Sequence, residues 1–344
     1  MSSSTTKAII QTEYGAASVL SIGEAQLPPI GDLDVLVRNI ATGVNPVDFK
    51  VRGGMLSAPI DPANPLVIGW DAAGVVEGVG SAVTGFAVGD EVYYAGDLFK
   101  PGTYAEKTVV DSRIVAHKPK NLTFAEACTI PLVALTAHES LVEELRVEAG
   151  NTLVIYNGAG GVGSFVIQYA KHLGLTVVAT ASRPETVEWV KSLGADEVIN
   201  HREELLPQFE SKGIKPNYVL ELHSNARIGE LMKSLAPFGR ACLVNPASPE
   251  NLATIDGMDM LMGRKSMGYE LMFSRPFAGV EVEKQGKILA TVAELLDEGK
   301  LRHTVKRTLP WTNVGEAHEL QEKGTSIGKT ALAVTEEASL KTVA

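Results

Sequence analysis

Three glycines, Gly158, Gly160 and Gly163, stand at G-x-G-x-x-G spacing in TLVIYNGAGGVGSFVIQYAKHLG, between a compact apolar run and an amphipathic one. Each has a chemical reason: the first permits a tight turn, the second lets backbone approach a pyrophosphate, and the third lets strand and helix pack closely. With Ala159, Gly161 and Val162 they form a loop feeding a helix N-terminus, where unpaired N–H groups and the positive dipole end suit an anion. Glycine-rich turns are common, so the spacing alone says little; the strand–turn–helix setting makes it a dinucleotide site. About 20 residues on, where an NAD site carries an acidic residue for the ribose 2′-hydroxyl, this chain has Ser182 and Arg183. A hydroxyl and a guanidinium suit a 2′-phosphate, which arginine grips bidentately. Lys191 and His201 are either further positive charge for that phosphate or ordinary surface residues. NADPH is the expected cofactor.

A loop of this kind needs a parallel sheet beneath it, and the pattern supplies one. Phe124–Leu145 reads as helix and Thr152–Tyr156 as strand. Helix-like Ser164–Leu173 and Pro184–Leu193 then alternate with strand-like Val177–Thr180, Glu197–Ile199 and Tyr218–Leu222. Strands alternating with helices imply βαβ units, hence an α/β doubly wound (Rossmann) domain. Before residue 124 the pattern is β-like: Lys7–Ile10, Val35–Ile40, Val75–Gly80, Glu91–Tyr94 and Thr103–Val110 are separated by Gly, Pro and Asp clusters, as in a barrel-like antiparallel domain. Near the end, Glu281–Glu298 reads as an amphipathic helix stopped by Gly299, with short strands after it, and TEEASLKTVA as a loose tail.

The composition narrows the chemistry. The 344 residues carry a net charge of −10, which argues against a general nucleic-acid binder. Two cysteines, Cys128 and Cys242, exclude a disulfide framework and a four-cysteine zinc site. The opening MSSSTTKAII lacks the apolar core of a secretory leader and reads as a short frayed tail. There is no run of about 20 apolar residues. The expectation is a soluble cytoplasmic protein with no membrane partner. His138-Glu139 lacks the second histidine of a zincin, and no G-x-S-x-G occurs.

Longer segments carry a resemblance. ATGVNPVDFKVRGG is similar to GINPVDxxxRxG; PLVIGWDAAGVVEGVGSAVTGFAVGDEVY is similar to PxxxGxExxGxVxxVGxxVxxxxxGDxV; ACTIPLVALTAHESL followed by NGAGGVG is similar to a hinge helix and cofactor loop. Together they resemble the medium-chain dehydrogenase/reductases over nearly the whole chain, and among them the zinc-independent quinone oxidoreductase (zeta-crystallin-like) branch. The resemblance implies a GroES-like β-barrel-type catalytic domain in two parts, 1–128 and 275–344, around a Rossmann domain at 129–274. It also implies a homodimer paired through an edge strand of the cofactor sheet, placed at Arg240–Val244. Zinc-dependent relatives bind metal at positions that correspond here to Asn45, Trp70 with Asp71, and about Leu132. An amide, an indole and an aliphatic chain do not make a zinc site, and one carboxylate is not enough. No metal is expected.

Without a Lewis acid, unactivated alcohol oxidation loses several kcal/mol of help. Hydride delivery to an electron-poor acceptor, a quinone or an α,β-unsaturated carbonyl, remains feasible, because the developing enolate needs only hydrogen-bond donors. The expected pocket lies in a cleft between domains. The resemblance puts Asn45 near the nicotinamide, as donor to the acceptor oxygen or as a turn residue before Pro46. Thr136 then holds ribose or ring edge, or packs its helix. Tyr94 is a donor or a core tyrosine, and Trp70 an apolar wall or core. Asn245 aligns with a segment that contacts the carboxamide. The segment YELMFSR, with Phe273 and Arg275, has no role readable from physics. Enoyl-thioester reductases, and many quinone reductases, carry a tyrosine shortly after the R-G pair, and Gly53-Gly54-Met55-Leu56 has none, which speaks against an acyl-thioester. Two alternatives stay open: a metal-free NADPH carbonyl reductase, and a non-enzymatic NADPH-binding protein.

Overall fold

This computed structural model describes residues 4–55 and 59–339. They fall into two compact units, Met1–Leu132 with Phe273–Ala344, and Val133–Met272. The sequence reading draws these borders at 128/129 and 274/275.

In the first unit, Asp34–Gly43 organises the larger sheet. Asp71–Val79 pairs along one of its edges; Lys107–Asp111 and Lys329–Ala333 share the other. Glu91–Ala95 and Val115–His117 extend the sheet past Asp71–Val79, and Val305–Pro310 lies parallel outside Lys329–Ala333. Ser21–Gln26, Thr5–Gln11 and Leu66–Val67 form a second, small sheet. Val35, Val37, Val76, Val92 and Val115 make one buried cluster, the inward face that two-residue alternation creates. Register delivers the site. Gly43 lies opposite both Asp71 and Ala331, so the chain leaving it at Val44-Asn45 passes Asp71 and comes beside Lys329, two residues before Ala331. A Cβ on Gly43 would sit 2.5 Å from Cys128 O and 2.9 Å from Asp71 Cβ; only glycine allows this approach.

Several local readings change. Pro46–Arg52, inside the stretch whose overall pattern is β-like, is a helix with proline at its start, where the missing N–H costs nothing; about two turns are too few to show a period. The expected helix Phe124–Leu145 is broken. Phe124–Ala127 stops at Cys128, Thr129 Oγ1 donates back to Glu126 O at 2.8 Å, and Pro131–His138 begins anew before widening into a π turn at Glu139–Glu144. Pro131 forces the break, because the residue before proline avoids the α region. Expected strand Thr103–Val110 is a regular strand only over Lys107–Asp111, with Ala105 joined to Ala8 by a single antiparallel bridge. Helix Glu283–Asp297 ends as expected at Gly299, whose φ is 71°. Of the two tails, residues 1–3 and 340–344 lie outside the described residues. Glu336–Ser339 is not loose: it forms a 3₁₀ turn, with Ala338 buried and Glu337 bonded to Arg38 at 3.3 Å.

The second unit is a six-stranded parallel sheet in the order Glu197–Ile199, Thr176–Thr180, Thr152–Tyr156, Tyr218–Glu221, Arg240–Leu243, Ser266–Tyr269. Numbered along the chain this is 3-2-1-4-5-6, the doubly wound order. Val154, Val178, Val219, Ile228 and Leu231 fill its core. Helices Leu205–Ser211 and Ile228–Ser234 escaped the sequence reading; in the first, Pro207 looks like a breaker but falls in the first turn, where it is tolerated. Arg240–Leu243 is an inner strand, flanked on both sides. The exposed edge on that side is Ser266–Tyr269, so Arg240–Leu243 is not the edge strand it was expected to be.

Candidate active site

The second unit carries the nucleotide loop. Strand Thr152–Tyr156 ends on Asn157, whose φ of 68° is left-handed, a region asparagine enters more readily than most residues. Its N–H donates to Thr180 Oγ1 at 2.9 Å, and that of Gly158 to Thr180 O at 3.1 Å. The tight turn therefore falls to Asn157 and not to Gly158, a correction. Gly158 is needed for space, since its Cβ would lie 2.8 Å from Ala179 Cβ. At Gly163 a Cβ would lie 2.5 Å from Asn157 O, the close helix–strand approach the spacing implies. At Gly160 it would meet nothing nearer than Asn157 Nδ2 at 3.1 Å, so that side of the loop stays clear for a pyrophosphate. Helix Gly161–His172 starts from Gly160 without a side-chain cap, leaving the first N–H groups of Gly161, Val162 and Gly163 for an anion. These residues fit a dinucleotide; Ala159, in the same turn, is buried.

Ser182 and Arg183 follow strand Thr176–Thr180, with Arg183 at the N-cap of helix Pro184–Ser192. Arg183 Nε donates to Glu185 Oε1 at 2.6 Å, an exposed pair of little strength. His201 sits beside Tyr156, ring centroids 5.8 Å apart, and its buried Nδ1 has no partner among the described residues. Burial lowers its pKa, and the charges of Arg202, His223, Arg183 and Arg227 push the same way. Positive groups thus gather at the carboxyl ends of three strands on a chain of net charge −10. His223 and Arg227 escaped the sequence reading because they follow a different strand. Lys191 is exposed in the last turn of its helix, about 12 Å along the axis from Arg183 at 1.5 Å per residue; the structure does not bring it to this cluster. Asn245 Nδ2 donates to His223 O, and Asn225 Nδ2 to Asn245 O, both at 3.0 Å, tying two strand-end loops together. Thr136 is buried in helix Pro131–His138.

The first unit holds a buried polar centre. Asn45, Asp71 and Lys329 are at most 2% exposed. Asp71 Oδ2 accepts from Asn45 Nδ2 at 2.8 Å and from Lys329 Nζ at 3.2 Å; Oδ1 accepts from Leu132 N at 2.8 Å. The break at Pro131 is what turns that N–H toward Asp71. Lys329 Nζ also donates to Asn45 Oδ1 at 2.5 Å and Val44 O at 3.0 Å. At the positions that correspond to a metal's ligands the chain has the Asn45 amide, the Trp70 indole with the Asp71 carboxylate, and the Leu132 aliphatic chain, and Asp71 already accepts three hydrogen bonds, one from the Lys329 ammonium beside it. A zinc ion wants thiolate, imidazole or free carboxylate, and the residues do not fit one. No group of three or more His, Cys, Asp or Glu able to hold a metal occurs among the described residues.

A chain of hydrogen bonds runs from this centre outward. Asp48 Oδ2 accepts from Asn45 N and from Tyr104 Oη, both at 2.7 Å; Tyr104 Oη lies 3.2 Å from His318 Nε2, and His318 Nδ1 lies 3.2 Å from Arg52 Nη1. Arginine only donates, so His318 Nδ1 accepts and its Nε2 carries the proton. Every bond then points inward: Arg52 to His318 to Tyr104 to Asp48. Burial, helped by Arg52, pushes His318 down to about 3, which keeps it neutral. Burial pushes Asp48 up to about 7 against the pull of its two donors. Arg52 Nη2 reaches the surface at Glu322, 2.5 Å away. Asn45, Asp48 and Arg52 belong to the NPVDFKVR segment, but only Asn45 was singled out. Lys329, in an otherwise apolar strand, was the one signal available for the rest.

Two expected catalytic residues are elsewhere. Tyr94 lies in the valine cluster and donates to Asn39 Oδ1 at 2.9 Å; it is a core tyrosine. Trp70 is 1% exposed, its Nε1 bonded to Asp97 O at 3.0 Å and its ring edge-on to Phe273 at 6.1 Å. Arg275 pairs with Glu281 at 2.7 Å. The missing tyrosine concerns Gly53–Met55, which are described, and Leu56, which lies outside the described residues.

Comparison with known proteins agrees with this architecture. A model for an alcohol dehydrogenase GroES-like domain matches residues 31–120, and one for a zinc-binding dehydrogenase matches 193–332. A zinc-type alcohol dehydrogenase-like protein of Staphylococcus aureus is 34% identical over 91% of this chain and 94% of its own. An NADPH-dependent alkenal/one oxidoreductase of Arabidopsis thaliana is 42% identical over 60% of this chain and 55% of its own. A crystal structure from Rhizobium etli, provisionally named a zinc-dependent alcohol dehydrogenase, superposes with a TM-score of 0.89 at 40% identity, covering 97% of this chain and 99% of the other. The antiparallel unit is accordingly the GroES-like domain and the parallel one the Rossmann domain. With both in place and the relationship spanning nine-tenths of its length, the chain belongs to the medium-chain dehydrogenase/reductase superfamily of oxidoreductases.

Proposed function

We propose that the chain reduces quinones or α,β-unsaturated carbonyls with NADPH and without a metal. The observation that carries this is the Asn45–Asp71–Lys329 centre: where zinc-dependent relatives coordinate a cation, this chain offers hydrogen-bond donors and a fixed ammonium. Bound NADPH supplies a hydride. The chain's residues do the rest. The Gly158–Gly163 loop and the helix start hold the pyrophosphate, and Ser182, Arg183 and His201 hold the 2′-phosphate. Asn45 Nδ2, with one N–H on Asp71, has a second to give to a carbonyl oxygen as it gains charge. Asn45 is 1% exposed, so the acceptor reaches it only when its surroundings open. The Arabidopsis relative's name supports both the cofactor and the acceptor class; "zinc" in the names of other relatives belongs to them, and the side chains here argue otherwise.

The test is product analysis on an enone panel with NADPH. A saturated carbonyl product supports the reading. An allylic alcohol makes the chain a carbonyl reductase, and cofactor binding without any turnover makes it a binder. We also propose that two copies pair edge to edge along Ser266–Tyr269. Met258, Leu261 and Met262 are at least 64% exposed and Tyr269 49%, an apolar surface of the kind that marks an interface.

A further inference from the structure

Resting on that reading, we propose that Lys329 is the positioning residue that fixes the Asn45 amide with its nitrogen toward the acceptor. An asparagine at a helix N-cap ordinarily turns its oxygen to the helix N–H groups. Asn45 occupies that place before Pro46–Arg52, and its backbone N–H donates to Asp48 Oδ2 at 2.7 Å. Its Oδ1 meets Lys329 Nζ at 2.5 Å, and its Nδ2 meets Asp71 Oδ2 at 2.8 Å. An ammonium can only donate and an ionised carboxylate can only accept. Flipping the amide would set donor against donor and acceptor against acceptor, so both neighbours dictate one orientation.

Lys329 is itself pinned. Its three protons go to Val44 O, Asn45 Oδ1 and Asp71 Oδ2, and it is 2% exposed. The amide nitrogen has two protons, and one is on Asp71. The other has no partner among the described residues. Buried donors are seldom left so, and a donor kept unpaired and held in direction is what a developing oxyanion requires. A positive charge on Oδ1 also polarises the amide and strengthens its remaining N–H. Lys329 thus orients and activates a donor without touching substrate.

The experiment is a double-mutant cycle with an enone and NADPH, using Lys329→Met, Asn45→Ala and the pair. If Lys329 acts through Asn45, Lys329→Met lowers kcat about 100-fold, the loss typical of one oxyanion donor. NADPH affinity stays within about twofold, and adding the lysine change to Asn45→Ala costs less than about twofold more. Additive losses in the double variant, or an unchanged kcat in folded Lys329→Met, overturn the proposal. Neutron diffraction of the unaltered protein tests the orientation without any variant and without any activity. Oδ1 toward Lys329 upholds it, and amide protons on the lysine side overturn it. Should the enzyme reduce no enone or quinone, the functional reading falls while the neutron map still decides the orientation.

Discussion

At the scale of single residues, the glycines of the nucleotide loop separate binding from folding. Gly160→Val adds bulk where a Cβ's nearest neighbour is the Asn157 side chain at 3.1 Å. It should abolish NADPH binding in a fluorescence titration and move Tm little. Gly163→Ala drives a Cβ to within 2.5 Å of Asn157 O and should cost about 1–3 kcal/mol or more by denaturant titration, as overpacking does. Retained NADPH affinity in the first variant would break the loop assignment. At Arg183, removal to Ala should cut the preference for NADPH over NADH in kcat/KM by about tenfold or more, the worth of one charge-assisted bond of roughly 1.5–3 kcal/mol. An unaltered protein that uses both cofactors equally would refute the 2′-phosphate argument.

Helix Pro46–Arg52 carries the consequences at the scale of elements. It presents Asp48 and Arg52 to one buried chain with Tyr104 and His318. Folded Asp48 titrates near 7 against 3.8 ordinarily, chiefly because it is buried. A raised carboxyl pKa favours the protonated folded state. Its stabilising contribution is full below about pH 4 and is lost as pH climbs through 7. Asp48→Asn removes that dependence, so its Tm relative to the unaltered protein should rise between pH 5 and 8; parallel Tm profiles would contradict this. Tyr104→Phe leaves His318 Nε2–H without its acceptor and should cost about 1–3 kcal/mol. None of this was legible in the sequence, for a physical reason. Asp48, Tyr104 and His318 come from three distant segments, and no local period encodes a contact made by folding. What was legible is local: Thr152–Tyr156 and Glu197–Ile199 match residue for residue, the first because a buried parallel strand is a short apolar run between sharp turns. The strand Ser21–Gln26 was not legible, being largely exposed, and Val115–His117 was passed over as well. At the candidate site, Asn45 was found through its motif. Lys329 was passed over, because a lysine in a strand reads as an edge charge until register places it beside Asp71.

For the molecule as a whole, edge pairing along Ser266–Tyr269 predicts a dimer by light scattering. Leu261→Lys with Met262→Lys should give a monomer, and an unaltered protein that is already monomeric would remove the proposal. Among the described residues no helix is long and apolar enough to cross a membrane. The account as a whole depends on hydride reaching an acceptor whose oxygen is stabilised by the Asn45 amide, with no Lewis acid. The direct measurement is NADPH-dependent enone turnover before and after exhaustive chelation, with zinc content determined on the same sample. Unchanged kcat and a saturated carbonyl product are predicted. Activity that vanishes on chelation and returns with Zn²⁺ would contradict the account at its centre.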